Sequence, residues 1–428
     1  MPLAYPIHER TLANGLRVII SPDHSVPTVT VNLWVGVGSR HESAGRTGFA
    51  HLFEHLMFQG SARVATGEHF ELLMAQGGRL NATTWFDRTN YFETVPTGVT
   101  ELALWLEADR HGNLLAAVSQ ENLDNQRDVV KEEKRQRYDN QPYGDALIEV
   151  YAAIFPPDHP YHHPTIGSMA DLDAASLEDV HAFFTAHYAP DNTVLTLCGD
   201  LTPQEGFALV EKHFGHLTAE AAPRRGPHPA LPPLESPVRV DLQRSVPNDR
   251  LYLAYRLPAE TQDEFLACAL ALDCLAGLAT SPLVSALVRR DQVATSVHGS
   301  AWGFIDGVSL GIITIDVAPD QRAEEVEQAA VELMAAAIAA DLDPQLLEAS
   351  RAHTERAWLA ALASQEERAD LISHYALLHG DAQTINTRLD TILAVEADAV
   401  SDAARRWLTP EHRATIAYQA EREQEDVA

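Results

Sequence analysis

Two histidines and a glutamate lie within five consecutive residues, as His51-Leu-Phe-Glu54-His55. In a helix, which turns by about 100° per residue, His55 lies about 40° from His51 and Glu54 lies about 60° from His51 on the other side. Histidines four residues apart on one helix can both bind one Zn²⁺, and a neighbouring carboxylate can accept a proton from the attacking water. The spacing therefore predicts a zinc-dependent hydrolytic site with Glu54 as its general base.

The residues around this motif predict an amphipathic helix over residues 48–58, with Thr47 as its N-cap. The edge opposite the histidines carries the apolar side chains of Phe49, Leu52, Phe53, Leu56 and Met57. Such a helix buries one edge in a core and presents the other edge. Taken alone, the motif also fits a pair of solvated or core histidines.

A third zinc ligand is expected from a later helix, which the sequence predicts over residues 121–138. Glu133 shares the face of this helix that carries Val130, whereas Glu132 lies on a polar face. An acid on an apolar face is costly unless it has a partner, and a zinc ion is such a partner. Glu133 is therefore the predicted ligand; an ion pair with Arg137 on the same face is the alternative.

The composition describes an acidic globular chain of 428 residues, with 31 basic and 61 acidic side chains and a net charge of −30. This charge argues against binding to nucleic acid or to an anionic membrane surface. The three cysteines form no CxxC pair, which excludes a disulfide framework and a thiolate zinc site. The sequence shows no secretory signal and no apolar run of about 18 residues, so we expect a cytoplasmic protein.

A proline-rich segment over residues 219–237 divides the chain into two halves, predicted as domains over residues 1–218 and 238–428. Similar strand-like runs, TVTVNLWVGVGSR and DRLYLAYRLPAE, follow a Val-Pro pair in each half and suggest a duplication. Alternating strands with helices between them predict an α+β fold. We expect two homologous α/β-sandwich halves, each a largely antiparallel sheet covered by helices, joined by this linker. The clearest predicted strands are 17–20, 28–37 and 193–198, and further predicted helices are 67–76, 99–115 and 177–187.

Several segments, in the same order, resemble the pitrilysin group of zinc peptidases. They read GSRHESAGRTGFAHLFEHLMFQGS, GGRLNATTWFDRTNYFETVP, QRDVVKEEKRQRYDNQPYG and HPYHHPTIGSMADLDAASLEDVHAFFTAHYAPDNTVLTLCGD, and the second half retains SPLVSALVRRDQVATSV. The inverted motif H-x-x-E-H is the mark of the inverzincins. Within the group, the chain is most similar to the short bacterial branch that is like mitochondrial processing peptidase.

The resemblance implies that His51 and His55 are zinc ligands, that Glu54 is the general base and that one zinc ion binds per chain. A glutamate on the later helix is the family's third ligand. The family pattern R-x-x-x-x-x-E, read from Arg127, ends at Glu133, in agreement with the argument from the helical face.

One residue departs from the family's pattern. Many relatives carry a second acid seven positions before the third ligand, and this chain has Gln126 there. An amide can orient a histidine by hydrogen bonding, but it raises the basicity of that histidine less than a carboxylate does.

The segment after Gly77-Gly78 predicts a strand beside the site, and in the family its Asn-Ala pair, here Asn81 and Ala82, faces the substrate. An exposed edge strand can hydrogen-bond an extended peptide without requiring one particular sequence. An ordinary sheet strand bounded by glycines is the alternative interpretation.

The second half has no H-x-x-E-H motif; its corresponding helix reads ALDCLAGL. Relatives place an Arg and a Tyr seven residues apart in the region matched by LVRRDQVATSV, and those positions are Val288 and Thr295 here. Because this substrate-orienting pair is missing, we expect a homologous partner subunit that carries it, in a heterodimer. A homodimer is the second choice.

These observations predict a zinc endopeptidase that hydrolyses peptides, or clips short unfolded segments, inside a closed chamber. Two alternatives belong to other classes. The family includes core proteins of respiratory complexes that have lost the site, so a non-catalytic scaffold subunit is one of them. A zinc hydrolase that acts on something other than peptides is the second.

Overall fold

Each half of the chain contributes one β-sheet to the protein, and the computed structural model describes residues 3–218 and 228–421. The strands of the first half are β1 (His8–Thr11), β2 (Arg17–Pro22), β3 (Thr28–Val35), β4 (Arg79–Thr84), β5 (Thr89–Pro96) and β6 (Thr193–Gly199). The strands of the second half are β7 (Val238–Arg244), β8 (Arg250–Leu257), β9 (Ala294–Trp302), β10 (Ser309–Val317) and β11 (Arg413–Ala420).

The two sheets share one topology. The first has the order β1-β2-β6-β3-β5-β4, and the second has the order β7-β11-β8-β10-β9. Leaving β1 aside, each sheet contains five strands. In both sheets these strands lie side by side in the order first, last, second, fourth and third along the chain. Each sheet contains one parallel pair, β2 with β6 and β7 with β11, and its other pairs are antiparallel. The prediction of two homologous halves with largely antiparallel sheets is confirmed.

Helices cover these sheets. Those of the first half are α1 (Phe49–Leu56), α2 (Glu68–Ala75), α3 (Thr100–Asn113), α4 (Gln120–Lys134), α5 (Ala146–Ile154), α6 (Met169–Asp173), α7 (Leu177–His187) and α8 (Pro203–Phe214). Those of the second half are α9 (Glu264–Leu272), α10 (Ala323–Ala339), α11 (Pro344–Ala363), α12 (Gln365–His374), α13 (Thr384–Leu393) and α14 (Ala397–Trp407).

The described residues form two compact units, and each unit includes a segment from the other half of the chain. The first unit comprises residues 3–134, 163–218 and 357–390, and the second comprises residues 135–162, 228–356 and 391–421. In the first unit α12 packs on β3 and β6, and in the second α5 packs on β8 and β11. Residues 135–162 of the first half thus belong to the second unit, and residues 357–390 of the second half belong to the first unit. In this exchange the units differ from the predicted contiguous domains 1–218 and 238–428.

The proline-rich segment lies partly outside the described residues, which omit 219–227. Its described part, residues 228–237, contains no helix or strand and precedes β7. The domain bounds at residues 219 and 237 stay predictions. Among residues 3–218 and 228–421, no helix is both long enough and apolar enough to span a bilayer.

Successive residues of a strand point to opposite faces of a sheet, so side chains of the first sheet contact different helices on its two faces. On β5, Asn90 donates a hydrogen bond of 3.0 Å to Asp370 of α12. Its neighbour Tyr91 points to the other face, where the guanidinium of Arg110 on α3 lies 4.6 Å from its ring centre. Helix α1, which carries the two histidines, packs on β4 and β5.

Candidate metal centre

Two histidines from α1 and one glutamate from α4 converge in the first unit. The Nε2 atoms of His51 and His55 lie 3.5 Å and 3.3 Å from Oε2 of Glu133. The two imidazole rings lie 4.8 Å apart, centre to centre. The side chains keep 12%, 22% and 17% of their surface exposed, so the cluster is open to solvent on one side.

These separations fit a zinc ion. Ligand atoms about 2.1 Å from a tetrahedral centre lie about 3.4 Å from one another, close to the two separations measured here. Two imidazole nitrogens and one carboxylate oxygen are also a donor set of catalytic zinc, with the fourth position left for water. The structure thus brings the three predicted ligands together in a suitable geometry.

Helix α4 brings Glu133 close to the two histidines because the inward face of this helix packs against α1. Leu123, Gln126 and Val130 are buried along this face, whereas Glu132 is exposed. The structure therefore places the two adjacent acids as the helical pattern predicts. The tuning role of Gln126 stays a prediction.

The start of α1 differs from the prediction that Thr47 is its N-cap. The N-cap is Gly48, with φ of 87°, and its N–H donates to the carboxylate of Glu42 at 2.8 Å. The N–H of Ala50 donates to the other oxygen of the same carboxylate at 2.8 Å. Thr47 instead donates through both N–H and Oγ1 to Asp171, at 2.9 Å and 2.6 Å.

The Glu42 carboxylate thus satisfies two of the amides that a helix leaves unpaired at its N-terminus. Burial raises the pKa of Glu42 to about 8, although the backbone N–H donors at Ala50 and Gly48 act in the opposite direction. Gly167 approaches this turn so closely that a Cβ there would lie 2.2 Å from the Gly48 nitrogen. The segment that contains Gly167 therefore packs against the start of α1 with no room for a side chain at this position.

Glu54 lies on α1 beside the metal cluster and accepts a hydrogen bond from a strand. The donor is the Oγ1 of Thr84, the last residue of β4, and the acceptor is Oε2 of Glu54. Burial raises the pKa of Glu54, while the Thr84 hydroxyl and the nearby His55 act to lower it. A carboxylate with a raised pKa is a better proton acceptor at neutral pH than an exposed one.

The predicted substrate-binding residues lie on β4, which is the edge strand of the first sheet. Asn81 is exposed and Ala82 is buried. The N–H of Ala82 donates to the Asn81 side chain at 2.9 Å. Among the described residues, no further strand pairs with the outer edge of β4. The contact of Asn81 and Ala82 with substrate stays a prediction.

The positions that match the family's Arg/Tyr pair lie in the second unit. Val288 belongs to a helical segment, Val284–Arg290, and Thr295 lies on the edge strand β9. Val288 is half-buried and Thr295 is exposed.

Three residues that support the site were not predicted from the sequence: Glu42, Thr84 and Asp171. Thr84 could have been found, because it lies two residues after Ala82 and therefore on the same face of the strand. Glu42 and Asp171 lie outside the helix that they hold, and no sequence periodicity relates them to it. Their positions depend on tertiary structure.

The protein thus has two α/β units that share one topology. In the first unit, two histidines and a glutamate on packed helices form a candidate metal centre. Two family models match the sequence of the chain: "Insulinase (Peptidase family M16)" over residues 17–167 and "Peptidase M16 inactive domain" over residues 174–353. The first match includes every residue of the candidate centre.

Relatives agree with these matches. "Zinc protease PqqE" of Helicobacter pylori is 27% identical over 96% of this chain and 92% of its own length. "Uncharacterized zinc protease ML0855" of Mycobacterium leprae is 31% identical over 71% of this chain and 67% of its own. The crystal structure of a protease from Helicobacter pylori superposes with a TM-score of 0.90 at 26% identity, covering 97% of this chain and 99% of that one. The chain belongs to the insulinase family, peptidase family M16.

Proposed function

We propose that this protein is a zinc-dependent endopeptidase. The observation that carries the proposal is the convergence of His51, His55 and Glu133 beside the half-buried carboxylate of Glu54. Zinc, when bound, supplies Lewis-acid chemistry that polarises the scissile carbonyl and lowers the pKa of a water to about 7. The names of the zinc-protease relatives support this choice of metal.

The side chains divide the remaining work. His51, His55 and Glu133 hold the ion, and one ion per chain is expected. Glu54 accepts a proton from the water that attacks the scissile carbonyl and then delivers it to the leaving amine. Because each transfer needs a group within hydrogen-bonding reach, the position of Glu54 beside the cluster suits both steps.

The open edge of β4 supports a peptide as the substrate. An extended peptide can add to such an edge as one more strand, through backbone hydrogen bonds that depend little on sequence. Asn81 and Ala82 would face it there. The proposal therefore covers short peptides and unfolded segments, enclosed in a chamber during cleavage.

Digestion of a mixed peptide library tests this function. We expect the purified protein, with its partner subunit where required, to cut the library, to lose that activity on dialysis against a zinc chelator, and to regain it with added zinc. Mass spectrometry of the products reads the cut sites. Cleavage that survives complete removal of zinc would contradict the proposal. A zinc-loaded protein that cuts only non-peptide esters or amides would instead favour a zinc hydrolase that acts on something other than peptides.

A non-catalytic scaffold subunit is the second candidate, because one matching family model describes an inactive domain. That match begins at residue 174 and therefore after Glu133. A scaffold has no need for three converging metal donors and a carboxylate beside them. Less than about 0.1 zinc per chain after purification in zinc-supplemented buffer would favour the scaffold.

The proposal includes a partner of similar size that carries the Arg/Tyr pair absent at Val288 and Thr295. A peptide must be oriented as well as cut, and orientation contributes a large share of rate enhancement. The isolated chain should therefore bind zinc but show kcat/KM below about 10⁴ M⁻¹s⁻¹, the lower end for ordinary enzymes.

The purified chain, assayed alone on its best library peptide, checks this expectation. The double variant Val288→Arg/Thr295→Tyr should raise its kcat/KM, because it restores the missing pair. Ordinary peptidase activity in the isolated wild-type chain would rule out the need for a heterodimer. A homodimer with another means of holding substrate would then replace it.

A further inference from the structure

Thr84 lies where the proposed substrate strand meets the proposed general base. It pairs with Thr89 across β4 and β5, and its side chain points to the face on which α1 packs. The preceding residue, Thr83, points to the opposite face, where its hydroxyl donates to Asn90 at 2.5 Å. Strand alternation thus gives two adjacent threonines different partners.

The hydroxyl of Thr84 donates to Oε2 of Glu54. Within the described part of the chain, no second donor forms a hydrogen bond with the Glu54 carboxylate. A single donor fixes the rotation of the carboxylate about its last bond, a torsion that is otherwise broad. It occupies Oε2 and leaves Oε1 as the oxygen that can accept a proton.

The end of β4 is itself held firmly. The N–H of Trp85 donates to the carbonyl of Arg88 at 2.9 Å and closes the turn between β4 and β5. The Arg88 guanidinium donates to the carbonyl of Thr83 at 2.9 Å and lies over the ring of Trp34. A short strand end tied by these contacts can hold Thr84 at a fixed position relative to α1.

We propose that Thr84 is a positioning residue for Glu54, on the basis of the function proposed above. Its hydroxyl holds Oε2 so that Oε1 takes the proton from the attacking water. Since Thr84 belongs to β4, the strand that would pair with the peptide also orients the base. The scissile bond and the proton acceptor are thereby aligned by one structural element.

Two substitutions at this position test the proposal. Thr84→Val keeps the shape and the β-branching but removes the donor, and Thr84→Ser keeps the donor. We expect Val to lower kcat by about tenfold to a hundredfold, because misplacement of a catalytic group has effects of this size. KM and zinc content should stay within about twofold of wild type, and Ser should retain kcat within about threefold. Thr30→Val is the matched control, because it removes a hydroxyl of the same sheet that contacts Thr94 at 2.9 Å instead of Glu54.

A second readout does not use activity. In crystals of the metal-free protein, the Glu54 carboxylate should hold one orientation in wild type and in Thr84→Ser, and more than one in Thr84→Val. Unchanged kcat together with one orientation in Thr84→Val would overturn the proposal. Equal losses in Val and Ser, or a loss accompanied by zinc release or by a fall in Tm larger than that of Thr30→Val, would overturn it too. Failure of the proposed function is distinguishable, because it shows in the wild-type protein as the absence of zinc-dependent cleavage.

Discussion

Glu54→Gln should reduce peptide cleavage by about 10²- to 10⁴-fold while the protein keeps its zinc, because general-base catalysis contributes a factor of this size. The amide has nearly the same shape as the carboxylate and can still accept the Thr84 hydroxyl. It cannot accept a proton from water at neutral pH. Single-turnover cleavage of the best library peptide, at matched zinc content, measures the loss.

Retained cleavage in Glu54→Gln would contradict the assignment of the base. A loss of zinc in this variant would also contradict it, since the residue would then serve to hold the metal. Glu132→Gln is the matched control, because it removes an exposed carboxylate from the adjacent helix α4. Its cleavage rate should stay within about twofold of wild type.

Glu133→Gln should weaken zinc binding by more than about a hundredfold. Removing a residue that only hydrogen-bonds to a metal ligand already lowers the affinity for the metal by up to about a hundredfold, and loss of a ligand itself should cost more. A neutral amide oxygen is a much weaker zinc ligand than a carboxylate, and two imidazoles alone leave the ion poorly held. Competition with a chromophoric chelator measures the affinity, and cleavage should fall in proportion to the zinc lost.

The adjacent acid again provides the control for this change. Glu132 precedes Glu133 on α4 and is exposed, whereas Glu133 is half-buried, so Glu132→Gln removes an equal charge from the exposed side of the same helix. Wild-type zinc affinity in Glu133→Gln would show that this carboxylate does not bind the metal. An equal loss in both variants would show that only the charge of the region matters.

The metal cluster was predictable because helical periodicity relates its residues within each helix. His51 and His55 share one edge of α1, and the inward face of α4 selects Glu133 over Glu132. The strand of Asn81 and Ala82 was recognisable from its alternation. What the sequence could not provide is the separation of 3.3 Å between His55 and Glu133, which depends on how α1 and α4 pack.

Contacts from outside these periodic segments were not predictable. Thr47 has the chemistry of an N-cap, but Asp171 engages it and Glu42 accepts the helix amides instead. For a related reason, the sequence did not predict that helices α5 and α12 pack on the sheet of the other half of the chain. An apolar helix face shows that a helix is buried, but it does not show which sheet the helix covers.

The central claim is that His51, His55 and Glu133 together hold a zinc ion. Anomalous X-ray diffraction at the zinc absorption edge, from crystals of protein shown to contain one zinc per chain, tests it most directly. We predict one strong peak about 2.0–2.2 Å from Nε2 of each histidine and from a carboxylate oxygen of Glu133. A strong peak elsewhere, with none among these three side chains, would contradict the account.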